Sequence, residues 1–533
     1  MPRWPLFIVA CLPVMLLLPP RGSTHCQRFP KSTCEQHTAF VPGYNLLGEG
    51  IDITTLQRKG AYLVDTSQWL GPNDTCILCR NHLMKGQLQR LPLATMDWRV
   101  RPSCDRQVSS FVAHSDVHVA KVLAEEVKNS WNVMLNLPKE MESKGQVVLA
   151  GSQSRMAIYA REKSQQDRYT FVRHEVSCEY YWLRLLPRPS LLSPHFSRDV
   201  QNLSSKYDPD EYQHFIDIYG THYISQAQLG ARVRNLLPVR TCAATLAGIT
   251  ASDIKNCLTL EASQGWISHS LSDKCPELQG NQAKRVFREA YGQRRTEIVG
   301  GSSQPELLFA EVQLFLDWMN NVTMYPGVVS YSLQPIHTLV DRGNPRRAIL
   351  KRAVRKYIDQ RALSRNCVNR CPDGRYPSSE DSCRCLCRPD SFTDTTCCAR
   401  EWGVAHLQVH IVKGYSLWGD PFTAADAYVK VFFQGWVMRT SPIQDNNNPY
   451  WSKTLDFEMV KLTQGGNILK LEIWDQDIHY DDLLKTCYEY LVAGGKKWKT
   501  CHLSQGRIEY YYVLECGPAL GGPSCHDYVP QKV

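Results

Sequence analysis

The chain has 533 residues, 43% of them hydrophobic and 21% charged, with a formal charge of +9. That length exceeds one ordinary domain and predicts two to four, and the composition carries no collagen-like or low-complexity bias. The positive charge is spread thinly, so it favours anionic surfaces without naming a partner, and the lack of a Lys/Arg tract argues against nucleic acid.

Residues 1–23 read as an export signal. Arg3 supplies a short positive start, Leu6 to Leu18 form an apolar core broken only by Pro13, and Pro19, Pro20, Gly22 and Ser23 follow. The core is too short to span a bilayer, which predicts cleavage near residues 22 to 25. No later run reaches about 18 uninterrupted apolar residues, so the mature chain is expected to be secreted and soluble, entering a membrane only by refolding.

Of 21 cysteines, Cys11 leaves with the signal, and the even remainder predicts a disulfide framework. Cys76-x-x-Cys79 has the spacing of half a zinc site or a redox pair, but no matching Cys/His knuckle lies nearby, and disulfides are the reading there too. Asn73, Asn202 and Asn321 each open an acceptor sequon, which predicts glycosylation on surface loops.

Residues 24–364 mix helical and strand patterns. Val119, Val122, Leu123, Val127, Trp131 and Met134 keep helical spacing and predict an amphipathic helix over 117–135. Asp208-Pro209 forms an N-cap and N1 pair for a second helix, whose Tyr212, Phe215, Ile216 and Tyr219 share a face and which Gly220 ends. Plain core packing explains both stripes. Cys367, Cys371, Cys383, Cys385, Cys387, Cys397 and Cys398 then crowd a segment too short to bury a core, so covalent staples must hold it. From about residue 400 short strands alternate. Ala405, Leu407, Val409 and Ile411 share one face, Ala427, Val429, Val431 and Phe433 another, and Leu469, Leu471 and Ile473 a third, which predicts an antiparallel sandwich.

The densest chemistry lies on that sandwich. Asp420 and Asp426 precede one strand, Asp445-Asn446-Asn447-Asn448 forms a turn before the next, and Asp475 and Asp477 end another and run into Asp481 and Asp482. Carboxylates converging at one tip repel unless a cation neutralises them, and a hard ion with six to eight oxygen ligands, calcium, is the natural one. Asp420, Asp426, Asn-x-Pro-x-Trp at 447–451 and Trp-Asp-x-Asp at 474–477 resemble a calcium-dependent, lipid-binding C2 domain. The resemblance implies Asp420, Asp426, Asp475 and Asp477 as side-chain ligands, with carbonyls near Gly419, Thr423 and Ala424 completing the shell. A fifth aspartate belongs six positions after the second Asp of that motif. Leu483 stands there, so Asp481 or Asp482 takes the role through a one-residue deletion, and which of them does so stays open. Trp418, Phe422 and Tyr480 on the same loops are expected to enter the membrane interface. Crowded carboxylates raise one another's pKa, so calcium affinity is expected to fall in an acidic granule and recover at neutral pH.

Tyr219-Gly220-Thr221-His222-Tyr223 resembles the signature of the membrane attack complex/perforin family, as do Gly48-Glu49-Gly50-Ile51-Asp52-Ile53 and Val299-Gly300-Gly301. The order of such a domain, an epidermal-growth-factor-like module and a C2 domain is found in that family, and the resemblance covers essentially the whole mature chain. It implies an α+β fold: a bent antiparallel sheet flanked by helical clusters over 24–364, a disulfide-rich module over 365–399, a C2 sandwich over 400–515 and a tail over 516–533. It further implies that both helical clusters unfold into transmembrane hairpins. Residues 147–164, read as a strand, place Val148, Ala150, Ser152, Ser154, Met156, Ile158 and Ala160 on one uncharged face, with Gln153, Arg155, Arg161 and Lys163 opposite. In 264–298 the helical stripe of Ala283, Val286, Phe287, Ala290 and Tyr291 is legible, but as a strand Lys284 and Arg288 fall beside Val286.

Hairpins cannot stand alone in lipid, so many copies must close one barrel as a ring or arc. The family pattern implies that Cys26 and Cys34 pair with Cys76 and Cys79. It likewise pairs Cys104 with Cys178, Cys367 with Cys383, Cys371 with Cys385, Cys387 with Cys397, Cys487 with Cys501, and Cys516 with Cys525. His222 has no nucleophile or acid partner at a motif spacing, and neither a Gly-x-Ser-x-Gly elbow nor a His-Glu-x-x-His site occurs, so no enzyme is expected. The function implied is that of a secreted pore former of immune effector cells, stored in acidic granules. It would attach to target-cell phospholipid through calcium. A non-lytic calcium-dependent adhesion or signalling protein is the alternative.

Overall fold

The computed structural model describes residues 26–103, 109–137, 150–186, 191–263, 275, 278–301, 317–318, 320–361, 371, 374–379, 384–419 and 423–531. Two long strands, Tyr169–Leu185 and His222–Arg240, run antiparallel through the centre of an eight-stranded sheet. The outer edge of the first carries Thr95–Ser103 and then Ser109–Ala113, and that of the second carries Gly327–Pro335 and then Arg295–Val299. Both outer layers change strand near the level where the central ladder slips between Glu179 and Tyr181. Interrupted edges beside a bulge bend a sheet.

Helices cover both faces at one end. Asp116–Ala124 and Arg155–Gln166 bury Val119, Leu123, Met156 and Ala160 against Phe171 and Leu236. Ala251–Ser263 and Asn281–Gly292 bury Ile254, Leu258, Ala283 and Phe287 against Val172 and Leu237. Successive strand residues point to opposite faces, so the two clusters lie on opposite sides of one sheet. Among the described residues no helix is long and apolar enough to cross a membrane.

Helix Pro209–Tyr219 is built as its sequence dictates. Asp208 accepts N–H bonds from Asp210 and Glu211, Tyr212, Phe215, Ile216 and Tyr219 are buried, and Gly220 closes it at φ 79°. The helix expected over 117–135 instead stops at Ala124. The Lys128 N–H bonds the Tyr331 carbonyl and the Tyr331 N–H bonds the Glu126 carbonyl, so pairing with the sheet edge displaces the i→i+4 ladder. Likewise residues 155–166, which alternate well as a strand, are helical in this state.

The C-terminal part is a sandwich of two four-stranded antiparallel sheets. One orders Tyr450–Lys461, Val404–Tyr415, Arg507–Cys516 and Lys496–His502; the other orders Trp436–Arg439, Ala427–Phe433, Ile468–Asp475 and Asp482–Tyr490. The three alternating sets read from the sequence all face its core.

Candidate membrane-attachment and pore-forming sites

Strand ladders bring the acidic loops to one end of the sandwich. Ala427 pairs with Asp475, and Asp475 pairs with Asp482, so the chain segments carrying Asp426, Asp475–Asp477 and Asp481–Asp482 leave the sheet side by side. Asp475 is 3% exposed, and its Oδ1 accepts the Asp426 N–H at 2.6 Å. Its Oδ2 lies where a side chain on Gly419 would stand, 1.5 Å from an added Cβ, so only glycine leaves that carboxylate room. Asp426 Oδ1 accepts the Asp445 N–H at 2.6 Å, and the Tyr428 hydroxyl donates to Asp481 Oδ2 at 2.6 Å. Burial and then this bond to Asp481 push the Tyr428 phenol up to about 12.

Asparagines brace these loops, a role that the motif alone does not reveal. Asn447 Oδ1 accepts the Ala425 N–H at 2.9 Å while its carbonyl accepts Leu417 N–H at 2.8 Å, and Asn448 Oδ1 accepts Ser416 N–H at 3.0 Å. Thr423 is exposed and Ala424 half-buried, while Asp420 and Phe422 lie outside the described residues. Among the described residues no three metal-ligating side chains converge closely enough to hold an ion. Trp418 and Tyr480 are exposed at this tip, and Ile478, which the sequence reading passed over, is 99% exposed on the same loop as Tyr480. Its signal was an aliphatic residue set among Asp477, Tyr480 and Asp481.

In the large sheet, the signature and the glycine-rich motif over residues 48–53 meet. Gly50 pairs with Tyr223 and Ile51 with His222. A Cβ on Gly50 would lie 2.0 Å from the Tyr219 carbonyl oxygen, and one on Gly220 2.5 Å from that of Ile51, so both positions require glycine. Thr221 Oγ1 accepts the Ile53 N–H at 2.9 Å, and Tyr223 donates its hydroxyl to Gln334 at 2.7 Å. His222 is fully buried, edge-on to Trp131 with its Nδ1 2.9 Å from Thr221 Oγ1, and burial holds its pKa down to about 3. It packs between Thr221 and Trp131.

Beside the first helical cluster, Arg234 is 1% exposed and bonds Glu126 and Glu175, and Arg232 bonds Glu126 at 3.2 Å. Burial would raise the Glu175 pKa, but Arg234, Arg173 and Arg232 outweigh it and hold the carboxyl at about 2.

Residues 38–367 match the MAC/Perforin domain and residues 405–490 the C2 domain. The chain is 40% identical to human perforin-1 over 523 residues, covering 95% of this chain and 94% of that protein. The chain belongs to the MAC/Perforin family. Perforin-1 of Mus musculus is 39% identical over 98% of this chain and 96% of its own length, whereas complement component C7 of Mus musculus is 28% identical over 37% of this chain and 25% of its own.

In this MAC/Perforin chain the expected pairings resolve as Cys26–Cys79 and Cys34–Cys76, and Cys371–Cys385, Cys387–Cys397, Cys487–Cys501 and Cys516–Cys525 are present. Cys178 is disulfide-bonded, while its expected partner Cys104, like Cys367 and Cys383, lies outside the described residues. Two bridges were not anticipated: Cys242–Cys398, which ties the root of the second helical cluster to the small module, and Cys257–Cys275 within that cluster. Seven cysteines in the small module had to leave one over, and that oddness was the available signal. Asn73, Asn202 and Asn321 are all exposed.

Proposed function

We propose that the C-terminal sandwich docks this chain on phospholipid through calcium, and that the bent-sheet domain then assembles into a ring or arc and inserts two hairpins per copy. Pore-forming cytolysis is the function of the chain. The observation that carries the docking step is the Ala427–Asp475–Asp482 rung, which gathers three acidic segments at one tip beside exposed Trp418, Tyr480 and Ile478.

The donor set at that tip is all oxygen, as calcium prefers, and the close seat of Asp475 on Gly419 leaves a carboxylate wall that no side chain fills. Asp420, Asp426, Asp475 and Asp477 would hold the ion, with carbonyls of Gly419, Thr423 and Ala424. The ladder favours Asp482 as the further ligand, since it faces Asp475 while Asp481 is bonded to Tyr428. Bound calcium would cancel the negative charge that repels lipid headgroups. Asn447 and Asn448 hold the loops in place, and the exposed aromatic and aliphatic tips then enter the interface. Weak calcium binding in an acidic granule would keep the stored protein harmless, and the three exposed sequons are the proposed glycan sites.

The test is dye release from phosphatidylcholine vesicles with calcium and with a chelator. Leakage in calcium alone supports the reading. Tethering without leakage would identify an adhesion protein, and equal leakage in chelator would remove the role of calcium.

A further inference from the structure

Helix Arg346–Arg361 begins with the wrong charge. Its first turn carries Arg346 and Arg347 and no acidic residue, and Lys351 follows Arg347 by four positions. The partial positive charge of a helix N-terminus disfavours cations there, and like charges four apart on a helix repel. Arg346 is engaged, since its Nε donates to the Leu203 carbonyl. Arg342, Arg347 and Lys351 make no ion pair with a carboxylate among the described residues.

Those three side chains line a cleft of about 640 Å³, and among the described residues no Asp or Glu lines it with them. Its wall is fixed. The Ile336 N–H bonds the Thr221 carbonyl at 3.1 Å, which holds the turn Ile336–Leu339 to the signature segment. Arg347 donates from Nη1 to the Thr338 and Val340 carbonyls, so its guanidinium is anchored while Nε and Nη2 have no protein acceptor among the described residues. Met134 and Asn136 complete the lining from a distant part of the chain.

His337 lines the same cleft. It is 5% exposed, and its Nδ1 is buried without a hydrogen-bond partner. Burial, then Arg347 and Lys351, hold its pKa down to about 4, so the ring is neutral at pH 7. Buried polar atoms in folded proteins are nearly always bonded, and an orphan points to a missing partner. The backbone of the helix start cannot supply the rest of a site. Asn344 Oδ1 accepts the Arg346 N–H at 3.0 Å, the Asn344 carbonyl accepts the Arg347 N–H at 3.0 Å, and Pro345 has no N–H. What fills the cleft must be held by side chains.

Uncompensated positive charge calls for an anion, and arginine forks match the oxygens of a tetrahedral oxyanion. His337 narrows the choice. A neutral imidazole nitrogen either donates or accepts, according to its tautomer. A phosphate monoester, with a second pKa of about 6, can accept a hydrogen bond or supply one, whereas sulfate only accepts. We propose that the cleft between the turn Ile336–Leu339 and the start of helix Arg346–Arg361 is a binding site for a phosphate monoester group, held by Arg342, Arg347, Lys351 and His337. The site is independent of calcium and of the pore reading.

The test uses the full chain in chelator, where calcium docking plays no part. Melting is followed against inorganic phosphate, glycerol 3-phosphate and sulfate at one ionic strength set with chloride. Both phosphates should raise the midpoint saturably and more than sulfate does. The Arg342→Gln/Lys351→Gln variant, which alters two side chains outside the core, should melt normally in chloride and bind phosphate at least about tenfold more weakly. No shift beyond chloride, or an equal shift in the variant, overturns the site, and an equal shift with sulfate overturns the phosphate assignment. Flotation in chelator with phosphatidylcholine vesicles, with and without phosphatidate, separates the two sources of the group. Flotation that requires phosphatidate and is lost in the variant assigns the site to a lipid headgroup, and saturable binding of glycerol 3-phosphate without flotation assigns it to a soluble ester.

Discussion

Tyr528 donates its hydroxyl to Asp167 at 2.7 Å across a sequence separation of 361 residues. Asp167 caps helix Arg155–Gln166 of the first cluster, is 2% exposed, and also accepts the Gln531 N–H at 2.8 Å. Arg240, at the root of the second cluster, lies over the Tyr528 ring. The C-terminal tail therefore straps the roots of both helical clusters, the segments that the proposed insertion would unroll.

Replacing Tyr528 by Phe leaves a buried carboxylate short of one donor, a loss of about 1–3 kcal/mol. The expected outcome is a lower thermal midpoint and a shorter lag before calcium-triggered dye release. An unchanged lag would show that the strap does not restrain the helices.

The motif glycines give a sharper test of the fold. An Ala Cβ at position 50 would collide with the Tyr219 carbonyl, which is backbone and cannot swing aside. Gly50→Ala is expected to cost about 3 kcal/mol or more through overpacking, read as a loss of soluble yield or a large fall in melting temperature. Ala at exposed Gly60, inside strand Gln57–Tyr62, where φ is +68° but nothing lies within 4 Å, should cost less.

At the sandwich tip, Asp475→Asn with Asp477→Asn keeps side-chain oxygens in place while removing charge, and the amide oxygen introduced at position 475 would still accept the Asp426 N–H. Calcium-dependent vesicle attachment should be lost with the melting curve in chelator little changed. Persistent attachment would place the ion elsewhere.

Acid acts on the large sheet through buried histidines. Burial holds His174 and His337 at about 4 and His222 at about 3, against an ordinary value near 6.5. A base whose pKa is lowered in the folded state binds fewer protons there than when unfolded, so stability declines as pH falls from about 6.5 towards those folded values. Taken through both values, a fall from 6.5 to about 4 is worth ~3 kcal/mol per group. Glu175, at about 2, adds no slope until pH drops below its ordinary 4.5. Melting in chelator should thus shift downward between about pH 7 and pH 5; a flat profile would contradict these buried neutral histidines.

Elements whose cause is local were legible in the sequence. Helix Pro209–Tyr219 announced itself by Asp208, Pro209, a four-residue apolar face and Gly220, and the sandwich strands by alternation. Failures share one origin, a distant partner. Helix Asp116–Ala124 ends early because Tyr331 captures the backbone at Glu126 and Lys128, and Asn129 bonds both backbone groups of Leu333. Nothing within 117–135 encodes where that edge lies.

By itself, the amino-acid sequence determined the order of the MAC/Perforin and C2 parts, the acidic loops and the family motifs, because each is a property of spacing along the chain. Only the tertiary structure decided that Gly50 meets Tyr219, that Arg234 is neutralised by Glu126 and Glu175, and that Cys257 bonds Cys275. Those outcomes depend on strand register and on which faces become buried together, and burial is a relation between segments that no single segment specifies.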